Sequence, residues 1–245
     1  MSTAVEIQVE RVERFLRGRD ELHALAMRAR ADLADAPAAE VVGWAAETFG
    51  SGLAVASSMT DGVLPHLVSA QLPGVDVLFL DSGYHFAATL RTRREVATTM
   101  PVTVINIRSR LSVAEQDAAY GPQLHDRDPG SCCRMRKVEP LDEQLRGYEA
   151  WASGLRRADG PGRAGTHTVD WDDRHGLVKI NPIAAWTQED VDAYIEKHDI
   201  VVNPLVSQGY PSIGCFPCTQ RPASLDDLRS GRWAGRDQTE CGIHV

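Results

Sequence analysis

All five cysteines of this 245-residue chain lie in its second half, and four of them form two tight pairs, Cys132-Cys133 and Cys215-Phe216-Pro217-Cys218. The fifth, Cys241, stands apart, four residues before Val245. A fold that fits this pattern has to bring two distant segments together. The two pairs read as four ligands of one metal centre, which leaves Cys241 as a free, mobile thiol. A Cys-x-x-Cys turn converges two thiolates on one ion. Adjacent cysteines do so less readily, because ligation by neighbours needs a bent backbone such as a helix start. A [4Fe–4S] cluster holds its irons at separate corners, so neighbouring residues can bind different irons. The spacing therefore favours such a cluster over zinc. Two buried free thiols beside an accidental Cys-x-x-Cys are the plainer alternative.

The length suits one well-filled α/β domain, or one domain with a tail. Apolar content of 43% and charged content of 24% are those of a soluble globular protein. A net charge of −8 argues against a nucleic-acid partner, which calls for a strongly basic surface. It leaves room for a small anionic ligand held by a local arginine cluster. The N-terminal stretch is charged throughout and lacks the apolar core of a signal peptide, and apolar runs such as Val75 to Leu80 are too short to span a bilayer. The expected compartment is the cytoplasm, with no membrane attachment. There, paired cysteines more often bind metal or do redox chemistry than form structural disulfides.

Along the chain, Val9, Val12, Phe15 and Leu16, then Val41, Trp44, Ala45 and Phe49, fall at helical spacing, so residues 1–50 read as helices packed on the main domain. Leu53 to Ser57 is a short buried strand that runs into Ser58-Met59-Thr60-Asp61-Gly62 and a helix. Val75 to Leu80 and Val102 to Ile107 are further strands, with a helix from Phe86 to Thr98 between them. Residues 121–133 read as loop and Arg134 to Arg146 as helix. Glu149 to Ser153 and Leu177 to Ile180 complete the strands, and Thr187 caps a helix to His198. Regular alternation of this kind predicts an α/β fold, a mostly parallel sheet flanked by helices, with a loop-rich C-terminal tail. Residues 51–200 are expected to form the α/β part and 201–245 the second cysteine pair and the tail, in a single domain overall.

In open parallel sheets ligands sit beyond the carboxyl ends of the strands. Three loops answer that description: Ser57 to Gly62, Asp81 to Gly83, and Arg156 to Gly165. The first sets the hydroxyls of Ser57, Ser58 and Thr60 beside the free N–H groups of a helix start, an anion site. It has no GK[ST], so it is not a polyphosphate loop of that type, and Asp61 would repel a highly charged ligand unless it caps the helix. A simple capping turn is the competing reading. Near the end of the chain, Arg229, Arg232 and Arg236 supply positive charge that would favour a thiolate at Cys241, or merely a solvated face. Cys241 itself is expected to be exposed, and His244 to be solvated.

Ser131-Cys132-Cys133-Arg134-Met135-Arg136-Lys137-Val138-Glu139-Pro140-Leu141 resembles the CCxxRKVxPL element of assimilatory adenylyl-sulfate (APS) reductases. Gly209 to Thr219 is similar to their second cysteine element, Leu80-Asp81-Ser82-Gly83-Tyr84-His85-Phe86 to their LDTGYHF, and Arg229 to Trp233 with Glu240 to His244 to their C-terminal signature. The likeness runs from about residue 50 to the end. The 158–165 loop, ADGPGRAG, departs from the RRxQSxxR pattern of many family members, which bears on how Arg163 is matched, and the stretch from Arg232 to Cys241 lacks a tryptophan run that some members carry.

This resemblance implies an adenine-nucleotide α-hydrolase-like fold and reduction of adenosine 5′-phosphosulfate to sulfite and AMP, with thioredoxin as reductant. It further implies one [4Fe–4S] cluster on Cys132, Cys133, Cys215 and Cys218, and Cys241 as the nucleophile that passes through an S-sulfonate. Lys137 would lie between cluster and substrate, Arg163, Arg229 and Arg232 would grip the phosphosulfate, and Ser57, Ser58, Thr60, Gly62 and Leu80 would line the nucleotide site. The alternatives are a reductase of the 3′-phosphorylated nucleotide (PAPS), an adenylating ATP pyrophosphatase such as a tRNA-thiolating enzyme, and a non-catalytic Fe–S nucleotide-binding module. SSMTDG is a poor match to the loop the pyrophosphatase needs. Self-association into a homo-oligomer is left open.

Overall fold

The computed structural model describes residues 16–222, 224, 227–235, 238 and 240–244. Val9, Val12, Phe15 and Arg236 lie outside the described residues.

Six strands form one sheet: β1 (Leu53–Ala56), β2 (Val75–Asp81), β3 (Val102–Arg108), β4 (Ala150–Ala152), β5 (Val169–Asp172) and β6 (Leu177–Ile180), in the order β3-β2-β1-β4-β6-β5. β1 pairs in parallel with β2 and with β4, β2 with β3, and β4 with β6, whereas β5 runs antiparallel to β6. Strand order therefore reverses at β1, which has β2 on one side and β4 on the other. Its carboxyl end is where a crevice opens in such sheets.

Both faces of the central strands are buried, and the two-residue period of a strand divides them. Leu53, Val55, Val77, Phe79, Ala150 and Ala152 join a large core under two helices, α1 (Arg19–Asp32) and α2 (Ala38–Phe49). The intervening Ala54, Leu78 and Trp151 turn to the opposite face and pack with Leu141, Leu145 and Tyr148. Each such large apolar side chain contributes roughly 1.5–3 kcal/mol on burial. α3 (Val63–Ser69), α4 (Ala87–Thr99) and α9 (Gln188–His198) complete the expected helices. In α9 the Thr187 and Asp190 side chains each accept from the other's backbone N–H, 2.8 and 3.2 Å, as a capping box does.

The chain departs from the expected layout in three places. β5 is a strand where none was expected. Only Val169 of its four residues is fully buried, so its sequence, Val-Asp-Trp-Asp, carries little apolar signal. A helix not anticipated, α5 (Val113–Tyr120), begins with its own Ser112/Glu115 capping box. The segment read as loop, residues 121–133, instead holds α6 (Leu124–Arg127) and α7 (Pro129–Cys133). Pro129 sits in the first turn, where a missing N–H costs nothing, and the Asp128 side chain accepts from Ser131 N at 2.9 Å. α7 continues through a π-helical turn, Arg134–Val138, into α8 (Glu139–Leu145). Cys132 and Cys133 thus lie on a helix just before a π-bulge, a distortion frequent at functional sites.

After α9 the chain returns over the β1 loop. Gly62 N donates to Val201 O at 2.9 Å, and Asn203 N donates to Thr60 O at 3.0 Å. Among the described residues no helix is long and apolar enough to cross a membrane.

Candidate active site

Each element that carries a cysteine is held by its neighbours through hydrogen bonds. The turn after β2 is the hub. Ser82 Oγ lies 3.1 Å from Cys215 Sγ, and Phe216 N donates to Tyr84 O at 2.7 Å, tying the Cys215–Cys218 turn to the sheet. Arg136, on the π-turn, donates through Nε to Ser82 O and through Nη1 to Gln116 Oε1. Gly83 makes this approach possible: its φ is +76°, and a Cβ there would stand 2.9 Å from Arg136 Nη2. On the far side, Trp233 N donates to Cys218 O at 3.0 Å.

The result is that Cys132, Cys133, Cys215 and Cys218 line one pocket, together with Ser82, Tyr84, His125, Arg136, Lys137 and Trp233. Among the described residues, no three Cys, His, Asp or Glu side chains close on a single ion's position. Four thiols around one pocket, with no carboxylate in its lining, are the donor set of a soft, thiophilic group. Burial, followed by the neighbouring Cys133, Cys215 and Cys218, pushes the Cys132 thiol up to about 12. At Cys215 burial acts in the same direction, but the charge of Lys137 and the Ser82 hydrogen bond outweigh it and the pKa falls. Lys137 is the reciprocal case. Its burial opposes the charge, yet the sulfurs of Cys215, Cys241 and Cys133 raise its pKa above the ordinary lysine value.

Cys241 is not exposed as expected. It is buried and packs with Cys133, Cys215, Cys218 and Trp233 in one cluster. All five cysteines are free thiols. The tail is folded inward because its own residues find partners. Gln238 Nε2 donates to Glu240 O at 2.7 Å and approaches Cys133 Sγ at 3.6 Å. Arg174 donates to Gly242 O at 3.2 Å. His244, expected to be solvated, is half-buried and stacked on Trp151. Burial, then the charges of Lys179, Arg163 and Arg229, hold its pKa well below the usual imidazole value, so it is neutral.

The arginines assemble beside Cys241. Glu240 Oε1 accepts from Arg163 Nη2 at 2.9 Å, and Glu240 Oε2 pairs with Arg229 Nη2 at 2.9 Å. Arg163 also pairs with Asp159, which in turn pairs with Arg156. Arg232 lies over the Trp233 ring and donates to Ser212 Oγ at 3.3 Å.

The Ser57–Gly62 loop lies at the carboxyl end of β1, near enough to Arg156 and Asp159 for their charges to act on Asp61. Ser58 and Thr60 hydroxyls lie 3.2 Å from each other, and Asp61 Oδ1 accepts from Val63 N at 2.9 Å, the capping role allowed for it. Met59 is buried with φ +59°, a strained conformation for a non-glycine residue. Leu80, on β2, borders the Trp151 side of the sheet. Sequence reasoning brought together the cysteines, Lys137, Arg163 and Arg229. It gave no individual role to Ser82, Arg136, Asp159, Gln238 and Glu240. Of these Ser82 and Asp159 lie in loops read as ligand loops, and Ser82, Arg136 and Glu240 lie in the motifs that carry the family resemblance, whereas Gln238 has no signal of its own.

The phosphoadenosine phosphosulfate reductase domain family matches residues 52–221. The adenosine 5′-phosphosulfate reductase of Streptomyces coelicolor is 57% identical, covering 92% of this chain and 95% of that protein. The one from Mycolicibacterium smegmatis is 54% identical, with 92% and 96% covered. Among solved structures, the phosphoadenylyl-sulfate (PAPS) reductase of Candida auris, a phosphate complex, superposes with a TM-score of 0.67 at 25% identity, covering 80% of this chain and 96% of that one. The Candida glabrata FMN adenylyltransferase, with FMN and an ATP analogue, reaches a TM-score of 0.52 at 10% identity, covering 83% and 75%, and shares the fold alone. With the family model spanning the whole sheet and relatives more than half identical over 92% of its length, this chain belongs to the phosphoadenosine phosphosulfate reductase domain family.

Proposed function

We propose that the protein reduces adenosine 5′-phosphosulfate to sulfite and AMP in sulfate assimilation, with thioredoxin as electron donor, in the cytoplasm. The observation that carries this reading is the surroundings of Cys241: a thiol packed against Cys133, Cys215 and Cys218, with Lys137 close by and two arginines converging on the preceding residue. Sulfate sulfur is shielded by anionic oxygens, and an anionic thiolate reaches it only if cations neutralise them. Arginine forks suit such oxygens. In this reading Arg163, Arg229, Arg232 and Lys137 bind the phosphosulfate, and Ser57, Ser58, Thr60, Gly62 and Leu80 line the nucleotide side.

Cys132, Cys133, Cys215 and Cys218 would hold one [4Fe–4S] cluster, a group that supplies structural support and local electrostatics there. The electrons need no metal. The Cys241 thiolate attacks the sulfur, the sulfur–oxygen bond to the nucleotide breaks, and AMP leaves with the bonding pair, giving a Cys241 S-sulfonate. One thioredoxin thiolate then attacks Cys241 Sγ and sulfite departs, leaving a mixed disulfide. The second thioredoxin thiol resolves it, restoring Cys241 and oxidising thioredoxin by two electrons. The docked tail serves the first half-reaction. The second requires residues 240–244 to swing out, while the rest of the 201–245 segment keeps Cys215 and Cys218 in place and 51–200 is the nucleotide-binding frame.

The test is sulfite release with each nucleotide, alongside iron analysis. The expected results are preference for adenosine 5′-phosphosulfate and roughly four irons per chain. Preference for the 3′-phosphorylated nucleotide would overturn the substrate, and a colourless, iron-free active protein the cluster.

A further inference from the structure

Glu240 is an acidic residue at the centre of a cationic site. Arg163 reaches its Oε1 through Nε and Nη2 at 3.1 and 2.9 Å, and Arg229 meets Oε2 at 2.9 Å. Each carboxylate oxygen is therefore taken by a different arginine, one from the turn at 161–163 and one from the turn at 227–229. Both guanidinium groups are largely shielded, at 15% and 18% exposure, which strengthens their pairing with an anion. The next residue is the free thiol Cys241. Beyond it the tail has a second anchorage that involves no anion, the Arg174 bond to Gly242 O and the ring stack of His244 on Trp151.

We propose that Glu240 is a tethered counter-anion, occupying the place between Arg163 and Arg229 that an anionic group of the substrate takes. This rests on the functional reading above, which makes these arginines the phosphosulfate grip. A tethered carboxylate acts at a high effective concentration, in the millimolar range for a short flexible connection. Substrate must displace it, so the two compete. The two anchorages then divide the work. The Glu240 contact gives way when substrate enters, whereas the Gly242 and His244 contacts keep Cys241 docked over the bound substrate. Without substrate, Glu240 bridges the two guanidinium groups and, together with Asp159 on Arg163, offsets their charge.

The test uses the Cys241→Ser protein, which cannot turn over, and adenosine 5′-phosphosulfate as the titrant in calorimetry. Adding Glu240→Gln is expected to tighten binding about five- to tenfold, the difference narrowing at high salt because the competition is electrostatic. Glu240→Asp, which keeps the charge on a shorter arm, should fall between the two. Equal or weaker binding by Glu240→Gln, with the nucleotide still bound, overturns the counter-anion role and leaves the functional reading intact. If neither protein binds the nucleotide, the functional reading itself fails and this inference with it.

Discussion

The imidazole of His244 lies flat on the indole of Trp151, with ring centroids 5.6 Å apart and planes 2° from parallel. Trp151 is fully buried on the central β4, and its indole N–H is fixed by Asp172 at 2.8 Å. The end of the chain is therefore seated on an immobile part of the sheet, and Cys241 inherits its position from a residue three places further on. Stacked aromatic pairs contribute about 0.5–1.5 kcal/mol beyond area burial. His244→Ala should lower the single-turnover rate of Cys241 sulfonation roughly two- to tenfold, with no loss of nucleotide affinity. Because the ring is neutral, His244→Phe should restore the rate. An unchanged rate in the alanine variant would show that the stack does not position the thiol.

Cys241→Ser tests the nucleophile more directly. The serine variant should bind iron and adenosine 5′-phosphosulfate as the parent does, release no sulfite, and carry no sulfonated adduct in its intact mass. An alkoxide at that position is a far poorer nucleophile at neutral pH than a thiolate. An adduct found on the variant would move the covalent step to another residue.

What sequence alone conveyed, and what it did not, follows from the range of the interactions involved. β1, β2 and β3 were legible because each is a short apolar run, and β1 and β2 are buried on both faces. Only β3 is more open, and it alternates. β5 was hidden because its place is set by antiparallel pairing with β6, and its own residues are half polar. Pro129-Gly130 looked like a loop, although a proline in the first turn behind a capping Asp128 is a helix start. The cysteine set was legible as a set. The burial of Cys241 was not, because it depends on Trp151 and Arg174, residues distant in sequence with no periodic signal of their own. The same holds for the Ser82–Cys215 contact, which joins segments brought together only by the fold.

Arg163 and Arg229 should each matter for the substrate, by similar amounts. A hydrogen bond to a charged group contributes about 1.5–3 kcal/mol, so alanine at either position should lower kcat/KM roughly 10- to 150-fold. Arg163→Lys should recover little, because it replaces a planar fork with a point charge. The effects should not add to those of Glu240→Gln, since the three residues share one network. Simple additivity in kcat/KM across the double variants would mean that Glu240 and the arginines act independently.

His175 sets a pH limit on the fold through Asp172, the residue that fixes the Trp151 indole. Its Nδ1 lies 2.6 Å from Asp172 and its Nε2 2.8 Å from Asp142. Both ring nitrogens face carboxylates, so both donate and the ring is an imidazolium. Burial works against that charge, but the hydrogen bond and charge of Asp172, then those of Asp142, outweigh it and raise the pKa above the usual imidazole value. Asp172 responds in the opposite sense. Burial alone would raise it, yet His175 and the Trp151 N–H hold it below the ordinary carboxylate range. A raised imidazolium contributes stability that is complete below about pH 6.5 and is lost as pH climbs through the higher folded value. A depressed carboxylate contributes stability that is complete above about pH 4 and is lost as pH falls through its lower folded value. Stability should therefore be level between roughly pH 4 and 6.5 as far as this pair is concerned, and decline on the alkaline side. His175→Asn, which stays neutral, should cost about 1–3 kcal/mol at pH 6 and flatten that alkaline decline. Urea unfolding measured from pH 5 to about 9 reads both effects, and an alkaline slope identical in the two proteins would assign the decline to other groups.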